Sequence, residues 1–183
     1  MNWARTTGII IFPLFCLFAS LFALLADPNF TPGLLHSIGK EQSVEPTKEL
    51  FLAFIGLGEI PSLFNAQEAS HMEDVAQLFR AGFVLFVVIT LIFLYCARKN
   101  PGIVRNGFII LAIMLILLAI IPFQTVFTLF HLIFFPQGNW TFDSGSYIIQ
   151  SYPFIFFFWY ALSITAYAFF LGLILFFENI LSH

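Results

Sequence analysis

The chain has 183 residues, of which 60% are hydrophobic and 9% charged, and 27 are phenylalanine. A soluble domain of this size cannot bury so many rings, so the composition places the chain among membrane proteins. The formal net charge of −3 says nothing about nucleic acid, but no basic patch or nucleic-acid motif is present, so no nucleic-acid partner is expected. The two cysteines, Cys16 and Cys96, fall in separate apolar segments where neither a disulfide nor a metal pair is expected.

The first apolar run, residues 8–25, is long enough to span a bilayer, and its ends fit neither a signal peptidase site nor a lipobox at Cys16. It is read as an uncleaved helix. Residues 26–77 carry eight of the ten acidic residues and form an extracytoplasmic loop or cap. Up to Thr47 this region is punctuated by Pro28, Pro32, Gly33, Gly39 and Pro46 and reads as extended loop. Helical spacing follows over 48–57. A helix from Ala66 then leads directly into a second span, residues 78–97.

The turn 98–106 holds Arg98, Lys99 and Arg105 and no acid, so the positive-inside rule places it in the cytoplasm, in agreement with Arg5. A third apolar stretch runs from 107 to 135, about 43 Å as a helix at about 1.5 Å per residue. That exceeds a hydrocarbon core of about 30 Å. The spanning part is taken as 107–131, kinked at Pro122, with an extracytoplasmic segment 132–153 after it. A fourth span covers 154–177. The expected fold is therefore all-α: a single membrane domain, 1–183, with four transmembrane helices, both termini cytoplasmic, and a cap between helices 1 and 2.

Ionisable groups at the membrane edge are the candidates for function. His36 and His183 lie in stretches that face water. His71 and His131 each sit where an extracytoplasmic segment meets a membrane helix. On one helix, Glu68 and Asp74 flank His71 a turn away on either side, where a carboxylate can orient the ring. Gln124, Thr128 and His131 share one helical stripe. Histidine suits general acid–base work near neutral pH. No serine or cysteine nucleophile is signposted beside either ring, which favours a reaction whose nucleophile comes with the substrate. Two alternatives stand beside this: a zinc site built from Glu68, His71, Asp74 and His131, and a purely structural role for the same groups. Asn139-Trp140-Thr141 also fits a glycosylation acceptor, a motif with a high chance rate, and Trp140 and Phe142 suit an interfacial aromatic belt.

The stretch His71-Met72-Glu73-Asp74-Val75 before the second span resembles the His-Phe/Met-x-Asp/Glu-Val motif of the bacterial lipoprotein intramolecular transacylases. Phe130-His131-Leu132-Ile133-Phe134-Phe135, then Trp140-Thr141-Phe142-Asp143, Ile148-Ile149 and Tyr152-Pro153, is similar to that family's second signature, and Lys48-Glu49-Leu50 to its external loop. The sequence departs from the pattern at Phe154, where an acid is expected, and at Ser144, where proline is. The resemblance implies an acyltransferase of the bacterial cytoplasmic membrane, without cofactor, whose site lies at the extracytoplasmic leaflet. It implies transfer of the sn-2 acyl chain of a diacylglyceryl lipoprotein to the α-amine of the N-terminal cysteine, giving an N-acyl lyso-lipoprotein. His71 and His131 would then be catalytic, one as general base. Glu68, Asp74, Gln124, Trp140, Asp143 and Tyr152 would orient them or bind substrate, Gln124 or backbone N–H groups near Gly138 would hold the oxyanion, and membrane lipids would surround the site. The alternatives carried forward are a non-catalytic membrane subunit and a divergent lipid or lipoprotein esterase.

Overall fold

The computed structural model describes residues 3–181; His183 lies outside them. The described residues are helical, without strands: α1 (Trp3–Ala26), α2 (Phe30–Ser37), a 3-10 turn (Glu41–Ser43), α3 (Val44–Phe54), α4 (Ala66–Lys99), α5 (Ile103–Ile120), α6 (Phe123–Phe134), α7 (Tyr147–Ser151) and α8 (Phe154–Leu181). Four of them, α1, α4, α5 and α8, are long and apolar enough to cross a membrane.

The chain divides into two compact units. One is built from α1, α4 from Val84 onward, α5, and α8 from Ala161 onward. Its core holds Phe12, Cys16, Phe93, Cys96, Ile103, Leu111 and Ala168, with both cysteines free and buried. Lipid tails are as apolar as leucine, so helices in a bilayer associate by close fit, for which small residues serve best. A Cβ on Gly8 would lie 2.5 Å from Ile103 Cδ1 and 2.8 Å from Cys96 Cβ; one on Gly107 would lie 2.6 Å from Phe12 Cβ. The two glycines therefore set how near α1 comes to α5 and to the end of α4. Phe15 and Phe93 stack at 4.5 Å beside them.

The other unit comprises Asp27–Phe83 and Pro122–Tyr160. Here the sequence reading needs correction. The segment 26–47, expected to be extended, contains α2, and α3 begins at Val44 rather than at 48. Pro32 and Pro46 do not prevent this, because each falls in a first helical turn, where the backbone N–H has no intrahelical acceptor to lose. Both helices end in the same way. Gly39 (φ +69°) and Gly56 (φ +80°) adopt the left-handed conformation, and the next N–H reaches back into the last turn, Lys40 to Leu35 O and Leu57 to Leu52 O, both at 2.8 Å.

Pro122 does more than kink the third apolar stretch. Ile121 before it is extended (ψ 127°), as the proline ring demands of its predecessor. The stretch is thus two helices, α5 and α6. The unit's core gathers Leu35, Leu50, Phe64, Met72, Ile148, Tyr152 and Phe156.

Candidate active site

The site is assembled in the second unit from the first turns of α4, the end of α6 and the segment joining α6 to α7. The entry to α4 is fixed by a reciprocal cap. Asn65 Oδ1 accepts the Glu68 N–H at 3.0 Å and Glu68 Oε2 accepts the Asn65 N–H at 2.8 Å. The second Glu68 oxygen accepts the N–H of Ile148 at 3.1 Å, tying α7 to α4. Glu68 is 1% exposed, and its two oxygens serve backbone groups rather than His71.

One turn along, the ring of His71, 5% exposed, meets that of His131, 9% exposed. Their centroids are 6.0 Å apart and their planes 29° from parallel. Aromatic side chains wall the pair. Phe135 stands edge-on to His71 at 4.7 Å and Phe142 lies 5.6 Å away. Phe127 and Trp140 lie 4.2 and 4.9 Å from the ring of His131. His131 Nδ1 donates to the carbonyl of Phe127, one turn back on α6, at 2.8 Å. Since a carbonyl only accepts, this bond requires the proton on Nδ1, and in the neutral ring it leaves Nε2 bare.

Asp74, a turn past His71, is braced from the α6–α7 segment. Its Oδ2 accepts from Gln137 Nε2 at 2.6 Å and from Asn139 Nδ2 at 2.7 Å. Among the described residues no ion pair joins either histidine to a carboxylate; the His–acid contact that exists is His36 with Glu41, exposed, at 3.9 Å. Before the apolar stretch of α4, burial holds the His71 ring well below the ordinary histidine range, to about 4. Nearby His131 lowers it further, while Asn139 and Asp74 act in the opposite sense. His71 is therefore neutral at physiological pH, the form that can take a proton.

The remaining candidates are spread out. Trp140 belongs to the wall of the pair. Tyr152 is buried in the core, its hydroxyl 2.7 Å from Thr47 Oγ1, and burial pushes it up to about 12. Gln124 and Asp143 are exposed. No three His, Cys, Asp or Glu side chains among the described residues gather as a metal would need. Beside Asp74 and Gln137 a crevice of about 420 Å³ opens, lined also by Gln77, Leu78, Ala81 and Phe134.

Sequence reasoning missed Asn139, Gln137 and the ring partners Phe127 and Phe135. For Asn139 the one signal, Asn-Trp-Thr, pointed to a different and chance-prone motif. For Glu68 a usable signal existed, since an asparagine three residues before a glutamate marks a helix start.

Comparison with known proteins extends this picture. A family model described as "Lipoprotein intramolecular transacylase Lit" matches residues 44–157, which covers α3, the beginning of α8 and every residue of the histidine site. Among solved structures, the chain is similar to the membrane integral lipoprotein intramolecular transacylase Lit from Bacillus cereus. The two share 18% identity and a TM-score of 0.77, over 98% of this chain and 95% of that one. At that identity the likeness shows the fold. A comparison with curated proteins finds no match.

Proposed function

Since the chain belongs to the Lit family of lipoprotein intramolecular transacylases, and is a membrane acyltransferase with lipoprotein substrates, we propose that His71 and His131 together move an acyl chain within one substrate molecule. The acyl group leaves the sn-2 oxygen of the diacylglyceryl group and is received by the α-amine of the lipidated N-terminal cysteine. The observation that carries this reading is the pairing of two buried histidine rings, 6.0 Å apart, within an aromatic wall.

The chemistry balances without a cofactor. The amine nitrogen attacks the ester carbonyl, and one histidine takes the amine proton. The carbonyl carbon then releases the glyceryl oxygen, which receives a proton from the same ring or its neighbour. An amide and a secondary hydroxyl result, and no water is consumed. A neutral His71 is suited to take the amine proton and, once charged, to return it to the glyceryl oxygen, and the bare Nε2 of His131 is the neighbouring acceptor through which that proton can be relayed. The apolar wall excludes bulk water, which would otherwise divert the ester to hydrolysis. Backbone N–H groups near Gly138 are the donors proposed for the oxyanion. On this reading the histidine site lies at the extracytoplasmic leaflet of the bacterial cytoplasmic membrane, where a lipoprotein's glyceryl group resides, and both termini lie inside.

The test is co-expression with a tagged lipoprotein in a bacterium lacking its usual N-acyltransferase, followed by mass spectrometry of the N-terminal lipopeptide. An N-acyl, lyso-glyceryl product of unchanged total mass is expected with the wild-type chain and lost with His71→Ala or His131→Ala. Loss of one acyl mass would mark an esterase instead. An untouched lipopeptide from folded wild-type protein would overturn the proposal.

A further inference from the structure

Resting on that reading of the histidine pair, we propose that Asn139 is a positioning residue: its Oδ1 accepts the Nδ1–H of His71, fixing the tautomer whose Nε2 faces the substrate, while Asp74 and Gln137 hold the amide the right way round. Three observations converge on this.

The first is the direction of the amide. Asp74 can only accept hydrogen bonds, so the Asn139 group 2.7 Å from it must be the NH₂. Ser70 Oγ, 3.3 Å from the same nitrogen, accepts as well. Gln137 Nε2 holds the same carboxylate oxygen from the other side at 2.6 Å. The oxygen of Asn139 is thereby turned away from all three groups.

The second is a pair of orphans. The buried Asn139 Oδ1 and the buried His71 Nδ1 both lack a partner at strict hydrogen-bond geometry. One is an acceptor and the other is a donor when protonated, and the two side chains are close enough for Asn139 to favour the charged form of the ring. Buried polar groups of this kind are rarely left unmatched.

The third is the precedent within the same site. His131 already donates from Nδ1 to the Phe127 carbonyl. With Asn139 doing for His71 what Phe127 does for His131, both rings carry the proton on Nδ1 and present a bare Nε2. The partner nitrogen's bond decides which nitrogen is free to act.

The titratable groups that face His71 are Asp74 on its own helix and His131 on α6. Glu68 is occupied by backbone N–H groups, and Glu73 and Asp143 are exposed.

The experiment compares the full chain, reconstituted in lipid nanodiscs, with Asn139→Ala and Asp74→Asn. A synthetic diacylglyceryl-cysteinyl peptide serves as substrate, and histidine ¹⁵N spectra are recorded on the same samples, with His71→Gln to assign the signal. In the wild type the His71 signal should be that of the Nδ1–H tautomer. In Asn139→Ala it should move toward the Nε2–H form that free histidine prefers. kcat should fall about tenfold or more with KM little changed, since a histidine in the wrong tautomer loses rate rather than binding. The acid limb of the pH–rate profile should move to lower pH, because a group favouring the charged ring is gone.

Asp74→Asn, which frees the amide to flip, should give a mixed tautomer and a smaller fall. It carries the test if Asn139→Ala does not fold. Wild-type kcat and an unchanged tautomer in the folded variant would overturn the role of Asn139. His71→Ala separates the two claims. If it still transfers the acyl chain, the histidine reading itself fails; if it is inactive while Asn139→Ala behaves as wild type, only the positioning role does.

Discussion

The two units of this protein use similar apolar sequence for opposite purposes. In the first, helices meet through missing side chains: Gly8 against Ile103 and Cys96, Gly107 against Phe12. Its hydrophobic cluster is carbon and sulfur, with the Ser20 hydroxyl of α1 buried as well. In the second, the buried places include Glu68, His71, His131 and Ser151, and side-chain hydrogen bonds cross between segments far apart in the chain, Glu68 to Ile148 and Asp74 to Asn139. A core of the first kind has no room for a bulkier side chain at those glycines. In the second, Glu68 accepts two backbone N–H groups and Asp74 two side-chain amides, while Ser43 Oγ, His71 Nδ1 and Asn139 Oδ1 are buried without a partner at strict geometry.

Substitution at the histidines should break this contrast most sharply. His71→Ala or His131→Ala is expected to lower acyl transfer by roughly 10²–10⁴-fold, measured as N-acylated lipopeptide, while helix content and melting temperature in detergent stay near wild type. Glu68→Ala comes next. It strips the acceptor from the N–H groups of Asn65 and Ile148, at a cost of about 1–3 kcal/mol for each one left unsatisfied. Melting temperature and activity should then fall together, because α7 and the start of α4 lose their tie.

Gly107→Leu sharpens the comparison from the other side. Overpacking against Phe12 should cost about 1–3 kcal/mol, lowering the melting temperature while the rate per folded molecule holds.

A smaller effect follows from pH. The folded chain holds His71 near 4, below an unfolded value of about 6.5, so below about pH 6.5 the unfolded state binds the extra proton. This contribution to stability is complete above about 6.5 and is lost as the pH falls toward 4. His71→Gln should flatten that part of the melting-temperature profile. The smallest effects are expected at the exposed Gln124 and Asp143. Gln124→Ala and Asp143→Asn should leave the transfer rate within about twofold, as surface substitutions usually do.

What could be read from the sequence was what depends on local spacing. Eighteen apolar residues, a basic turn without an acid, and histidines where helices leave the membrane are all visible within one short window. The four long helices follow from them. The notion that Glu68 and Asp74 both attend His71 came from the same local logic and stopped one step short. On a helix they are indeed its neighbours, but Glu68 is drawn to backbone N–H groups at residues 65 and 148, and Asp74 to an amide at 139. No periodicity connects residue 74 to 139, so Asn139 became legible only through the fold. The prolines misled for a related reason. Pro32 and Pro46 looked like breakers because their position within a helix, first turn or interior, is fixed by where the helix begins. Pro122, in the middle of an apolar run, broke it outright.

In the proposed reaction one molecule of substrate gives and receives the acyl chain, with the histidine pair handling the proton. Its most direct measurement uses the purified full chain in nanodiscs and a synthetic diacylglyceryl-cysteinyl peptide deuterated only in the sn-2 chain. Product is then fragmented in a mass spectrometer. An unchanged total mass with the deuterated chain on the cysteine nitrogen is expected, and no such product from His71→Ala or His131→Ala. Deuterated free fatty acid with an unacylated amine, or transfer that survives loss of both histidines, would contradict it.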